Sequence, residues 1–204
     1  MAFTKLLIAS NNQHKITEFR RLFGHLPFDL VAPQDISLSL DVEEVGDTFE
    51  ANASLKAHAF AKASGLMSLA DDSGIEVDAL NGAPGVRSAR YGGEGLDDED
   101  RVQLLLHEMT SVQESQRTCR YRVVLALVDM DGPKETREAS TEGRCEGQIA
   151  YEPSGSNGFG YDPIFFLPHY GKTIAEIRSD QKDEISHRGK AARWMAEILA
   201  SRTD

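Results

Sequence analysis

The sequence predicts an α/β or α+β fold built around a mixed β-sheet, and three observations carry that expectation. Strand-like and helix-like stretches alternate in the first half of the chain. A β-branched run, RYRVVLALVDM, reaches Asp131-Gly132, turn chemistry that sends it into a second strand-like run as a late hairpin. No repeat, low-complexity tract or linker interrupts the 204 residues, so residues 1–204 read as one continuous domain able to bury a sizeable core.

Taken in order, KLLIAS from Lys5 to Ser10 is a short apolar run and the first strand. Behind the polar turn NNQHK, Ile16, Phe19, Leu22 and Phe23 recur at helical spacing. In DTFE, Asp47 stands three residues ahead of Glu50, a capping-box pattern that opens an Ala-rich helix running to about Ser64. LADDSGIEVDAL runs as a strand into Asp71 and Asp72, then alternates again beyond Ser73 and Gly74. GAPG, Gly82 to Gly85, is loop chemistry. Asp97 to Asp100 favour the dipole at the start of the helix marked by Val102, Leu105, Leu106 and Met109. Ala192, Met195, Ile198 and Leu199 mark a closing helix.

Charge narrows the function. The formal net charge is −11, which argues against a sequence-independent grip on nucleic acid, since that grip rests on cations neutralising phosphates. One small anionic ligand stays compatible, because a local cationic cluster or a bound cation reverses the field in a pocket. The two cysteines, Cys119 and Cys145, form no Cys-x-x-Cys pair and read as reduced thiols of a cytosolic protein. No apolar run approaches the ~18 residues of a membrane span. MAFTKLLIAS turns polar too early for a secretory signal.

Four stretches suit chemistry on a nucleotide. SNNQHK, Ser10 to Lys15, joins a strand to a helix, where backbone N–H groups and the helix N-terminus favour a phosphate; it serves equally as a capped helix start with a solvated lysine. In FGYDPIFF, Phe159 and Tyr161 flank Gly160, and Asp162 precedes a proline; this offers a ring face to a flat ligand, or a turn whose aromatics pack inward. KDEISHRGKA concentrates Lys182, Ser186, His187, Arg188 and Lys190; it reads as the ordinary solvated start of the last helix or as a ligand site, and cations at a helix start oppose the dipole, which favours the ligand role. In ADDSG, the extended chain points neighbouring carboxylates different ways, so one serves a pocket and holds a cation or takes a proton from water. An isolated match of that kind is more commonly an exposed turn. GKT at Gly171 lacks the upstream glycine of a P-loop, and GSNGFG is not the dinucleotide fingerprint.

Together SNNQHK, DTFEANASLKA, ADDSG, GAPGVRSARYGG, GFGYDPIF and ISHRGKA, in this order from Ser10 to Ala191, resemble the non-canonical purine nucleoside triphosphate pyrophosphatases. These are the inosine/xanthosine triphosphate pyrophosphatases, in their bacterial form. The resemblance implies a two-lobed α/β (α+β) fold, with a long twisted mixed β-sheet flanked by helices and a central substrate cleft. It further implies a cytoplasmic homodimer that uses Mg²⁺ to hydrolyse ITP, dITP, XTP and dXTP to nucleoside monophosphate and pyrophosphate.

By the same resemblance Ser10, Asn11, Asn12, Gln13, His14 and Lys15 bind phosphate, and Lys56 reaches it as well. Asp72 is the general base and a metal ligand, Ser73 contacts substrate, and Glu43 or Glu44 is a second metal ligand. Phe159, Gly160, Tyr161, Asp162, Lys182, His187 and Arg188 bind the nucleotide. Asp71 is either a further ligand or a support. A 6-oxo purine accepts hydrogen bonds where adenine donates, so the donors of His187 and Arg188 suit hypoxanthine and xanthine. The competing expectations are a pyrophosphatase for modified or pyrimidine nucleotides, and a nucleotide-binding module without turnover.

Overall fold

The computed structural model describes residues 3–130 and 136–202. The turn expected at Asp131-Gly132 lies outside the described residues. The early alternation is β1 (Thr4–Ile8), α1 (Gln13–Phe23), β2 (Phe28–Val31), α2 (Phe49–Ser64) and β3 (Met67–Val77). Then come α3 (Asp98–Glu108), β4 (Thr118–Met130), β5 (Thr136–Ile149), β6 (Phe165–Leu167), β7 (Lys172–Thr173), α4 (Ser179–Ile185) and α5 (His187–Ala200). The strands form one seven-stranded sheet in the order β2-β1-β3-β4-β5-β6-β7. It is mixed, as expected: β1 runs parallel to β2 and β3, whereas β6 is antiparallel to β5 and β7.

Local chemistry explains the helices. On α1, Ile16, Phe19 and Phe23 are buried at the spacing the sequence shows. Ala53, Ala57 and Ala61 on α2 are fully buried four apart, and their small side chains let the helix lie close to its neighbours. The capping expectation at α2 is corrected by one residue: Thr48, not Asp47, is the N-cap, and its Oγ1 accepts the Ala51 N–H at 3.1 Å. That helix stops at Gly65, whose φ of 69° is left-handed and whose N–H donates to Ala61. At α3 the capping box is real, Asp97 and Asp100 each accepting the other's N–H.

The chain divides into two compact units. One comprises Met1–Asp72, Val123–Gly143 and Arg188–Asp204; the other comprises Ser73–Arg122 and Arg144–His187. Each has its own core. In the first, Leu6, Ile8, Leu69, Val123, Leu125 and Leu127 meet Phe19 and Phe23 of α1 and Met195 and Leu199 of α5. In the second, Ile75, Tyr121, Cys145 and Ile149 meet Leu105 and Met109 around α3, together with Ile164 and Phe165. Both cysteines are buried free thiols of this second core. No helix among the described residues is long and apolar enough to cross a membrane.

Candidate active site

In the first unit the site is built from the middle of β3, the start of α1, one face of α2 and the start of α5. Asp71 and Asp72 do not end a strand. They sit inside β3 at 2% and 4% exposure, which excludes the exposed-turn alternative. Their side chains take different partners, as the strand pleat requires.

Asp71 is held by cations. Its Oδ2 accepts Lys15 Nζ at 3.0 Å and Arg188 Nη2 at 3.2 Å, and Arg188 Nη1 reaches Glu18 Oε2 at 2.5 Å. Lys15 and Glu18 lie three apart on α1, so one helix face supplies both outer members of a Glu18–Arg188–Asp71–Lys15 chain. Burial alone would push the Asp71 carboxyl up, but Lys15, Arg188 and Lys56 outweigh it and hold it well below the usual carboxylate range. Burial lowers Lys15, against the pull of Asp71.

Asp72 is held differently. Asn52 and Lys56, four apart on α2, present Nδ2 at 3.0 Å and Nζ at 3.6 Å to its two oxygens. Lys56 also pairs with Glu44, while Glu43 is exposed. Asn52 clamps the backbone near Glu44, accepting the Gly46 N–H at 2.8 Å and donating to the Gly46 carbonyl at 3.2 Å. A Cβ at Gly46 would fall 2.7 Å from Asn52 Oδ1, so glycine is required for this approach. Burial, joined by the nearby Glu44 carboxylate, pushes Asp72 up to about 6 against Lys56, Lys15 and the Asn52 hydrogen bond. Lys56 is raised: burial opposes its charge, but Asp71, Asp72 and Glu44 prevail. Adjacent carboxylates are thus driven in opposite directions.

The polar turn before α1 is partly self-satisfied. Asn12 is the N-cap, its Oδ1 accepting the His14 and Lys15 N–H groups at 2.9 and 3.2 Å; it acts as an acceptor here, not as the donor its amide also offers. Ser10 Oγ accepts the Asn12 N–H, and Asn11 Nδ2 donates to the Leu40 carbonyl. Asn11, Asn12, Gln13 and His14 are exposed. Beside them Asn11, Gln13, Gln34, Leu38 and Asp41 line a cavity of about 350 Å³.

In the second unit a separate group forms around Asp162. Its Oδ2 accepts Lys182 Nζ at 2.7 Å and the Phe159 N–H at 3.0 Å. Lys182 Nζ lies 5.1 Å from the centre of the Phe159 ring. Gly160 N–H donates to Asp98, and Gly158, at φ 83°, leaves no room for a Cβ beside Asp162. The inward-packing alternative describes Tyr161: it is buried, and its hydroxyl donates to the Ser88 carbonyl at 2.9 Å. Ser88 in turn closes on β3, accepting the Ile75 N–H at 2.9 Å. Ser73 is half-buried at the start of the second unit.

The basic stretch is not the start of one helix. Lys182 belongs to α4, the chain turns extended at Ser186, and His187 and Arg188 open α5. All three are buried rather than solvated. His187 lies against Tyr121, with ring centres 4.6 Å apart and planes 18° from parallel.

Of the residues expected to act, the structure gathers Lys15, Lys56, Asp72, Glu44 and Arg188 in the first unit. It gathers Phe159, Asp162, Lys182 and His187 in the second. Sequence reading missed Asn52, Glu18 and Tyr121. Asn52 was legible as the i−4 neighbour of Lys56 and Glu18 as the i+3 neighbour of Lys15. Tyr121 had no signal beyond its place in a β-prone run.

Comparison with known proteins gives a consistent result. The Ham1 family model matches residues 6–198. A dITP/XTP pyrophosphatase of Bacillus subtilis is 44% identical over 95% of this chain and 96% of its own length. One from Staphylococcus epidermidis is 45% identical over 95% of each chain. A HAM1 protein of Coxiella burnetii superposes with a TM-score of 0.85 at 39% identity, over 97% of this chain and 99% of that one. The Ham1 protein of Staphylococcus aureus gives 0.83 at 40%, over 98% of this chain and 100% of that one.

Proposed function

The chain belongs to the Ham1 family, and we propose that it hydrolyses non-canonical purine nucleoside triphosphates, ITP, dITP, XTP and dXTP, to the monophosphate and pyrophosphate. The observation that carries the reading is Asp72, a buried carboxylate raised to about 6 and held between Asn52 and Lys56. A group poised in that range takes a proton from water near neutral pH, and it is oriented rather than neutralised by its partners. Asp72 therefore directs water at the α-phosphorus. Lys15 and Lys56 bind the phosphates, and Asp71 keeps Lys15 in place.

The residues of the first unit also fit a divalent cation. Three cations, Lys15, Lys56 and Arg188, face four carboxylates, Glu18, Glu44, Asp71 and Asp72, so the protein alone offers a triphosphate no positive surplus. Among the described residues no group of three His, Cys, Asp or Glu forms a closed metal cage. Two carboxylates completed by water and phosphate oxygens are how Mg²⁺ is ordinarily held beside a nucleotide. Asp72 and Glu44 would hold it, the exposed Glu43 less well. When bound, the ion stabilises negative charge on the departing pyrophosphate.

Phe159 and Gly160 take the flat face of the base, with Tyr161 and Asp162 shaping their loop. Lys182, His187 and Arg188 supply donors that suit a 6-oxo group and oppose a 6-amino group. Ser73 contacts substrate beside Asp72, and Ser10 to His14 offer polar groups to the phosphates. A homodimer working in the cytoplasm belongs to the same proposal. The test is a panel of ITP, dITP, XTP, ATP and GTP with Mg²⁺ in ¹⁸O-labelled water. The expected result is pyrophosphate released much faster from the first three, with the label in the monophosphate. Equal rates on all five would remove the selectivity, and label in pyrophosphate would move the attack off the α-phosphorus.

A further inference from the structure

Tyr121 is a buried residue of β4 with three specific partners in the second unit, Phe165, His187 and Asp162. Its ring stacks with Phe165 at 4.6 Å and 15° and with His187 at 4.6 Å and 18°. Its hydroxyl hydrogen-bonds with Asp162. Asp162 carries Lys182 and the Phe159 N–H on its Oδ2. A phenylalanine would fill the same volume and stack equally well, but could not reach the carboxylate. A leucine would bury similar apolar surface but would leave the imidazole plane unset.

We propose that Tyr121 is a positioning and specificity residue, whose ring fixes the plane of His187 while its hydroxyl fixes Asp162. The inference rests on the assignment of His187, Asp162 and Phe159 to the base. Because one rigid side chain holds both, the imidazole and the Phe159–Asp162 loop move together. A donor must be held in place to tell an oxo group from an amino group, since a mobile one re-aims to suit either. Phe165 completes the arrangement: fully buried in the second core, it stacks on Tyr121 and limits the ring's freedom.

The experiment measures kcat and KM for ITP, GTP and ATP on the wild type, Tyr121→Phe and Tyr121→Leu, with a melting curve for each. Tyr121→Phe keeps the stack and loses the hydroxyl. It should raise KM for ITP about fivefold, with kcat and the ITP:GTP preference within about twofold of wild type, the scale of one lost hydrogen bond. Tyr121→Leu loses the stack. It should lower the ITP:GTP and ITP:ATP ratios of kcat/KM about five- to tenfold, the scale of an aromatic pair. Placing Tyr121→Leu on a His187→Gln background should then change the ratios no further. If both variants lose activity on all three substrates alike, with unchanged KM and unchanged ratios, Tyr121 is only a core residue and the inference is overturned. Should Tyr121→Leu not fold, Tyr121→Met removes the aromatic face with a more adaptable side chain, and the same ratios decide. A wild type that does not prefer ITP would instead overturn the proposed function, a separate outcome visible before any variant is compared.

Discussion

Asp71 and Asp72 share a peptide bond, and their surroundings give them opposite tasks. Asp71 lies between two cations, so its charge is fixed and its work is to hold Lys15 and Arg188. Asp72 is raised above its ordinary value of 3.8 to about 6, chiefly by burial, so the folded protein holds that proton more tightly than the unfolded chain. The stabilisation this gives is complete below about 3.8 and is lost as pH rises through about 6. Without added metal, the melting temperature of the wild type should therefore fall relative to Asp72→Asn between pH 4 and about 7, read by parallel thermal melts. A constant difference would mean that Asp72 is not raised. Arg188 is anchored by both terminal nitrogens, and Arg188→Ala removes the guanidinium from the buried Glu18 and Asp71, leaving Lys15 as the ion-pair partner of Asp71. Denaturant titration should show a loss of about 3–5 kcal/mol, the scale of a broken buried pair. A loss under about 1 kcal/mol would show that solvent reaches the pair.

The elements place these residues by simple periodicities. Four-residue spacing on α2 points Asn52 and Lys56 at Asp72, and three-residue spacing on α1 points Lys15 and Glu18 at the Asp71–Arg188 pair. Helices α1, α3 and α5 were legible from apolar spacing, α2 from its Ala-rich run and capping pattern, and the acidic start of α3 from its charges, whereas α4 was taken for the start of α5. The start of α2 was misread by one residue because Asp47 and Thr48 are both good caps, and only backbone geometry selects between them. Thr48→Ala should cost about 1 kcal/mol of stability and Asp47→Ala less than about 0.5, measured by chemical denaturation. The reverse order would put the cap back on Asp47. The basic stretch near the C-terminus was read by its charge alone. Burial of Lys182, His187 and Arg188 follows from the break at Ser186 and from Asp162, Tyr121 and Asp71, partners distant in sequence. Tyr121 stayed hidden for the same reason, since a tyrosine in a β-prone run signals only a strand.

On the scale of the molecule, β3, β4 and β5 are each divided between two units with separate cores. The chain crosses from one unit to the other at Asp72-Ser73 and again at His187-Arg188. The fold class and sheet type were readable from the alternation of elements. The opposite fates of Asp71 and Asp72 were not, because they depend on which helix meets which face of β3. A chain of net charge −11 that works on a polyanion gains from a divalent cation, and the excess of carboxylates over cations around Asp72 makes the same demand locally. Turnover of Asp72→Asn on ITP with Mg²⁺ decides whether Asp72 primes the attacking water. The expected result is a folded protein whose kcat is lower by about 10²–10⁴-fold, the range for a lost general base. A folded Asp72→Asn with kcat within about threefold of wild type would contradict it.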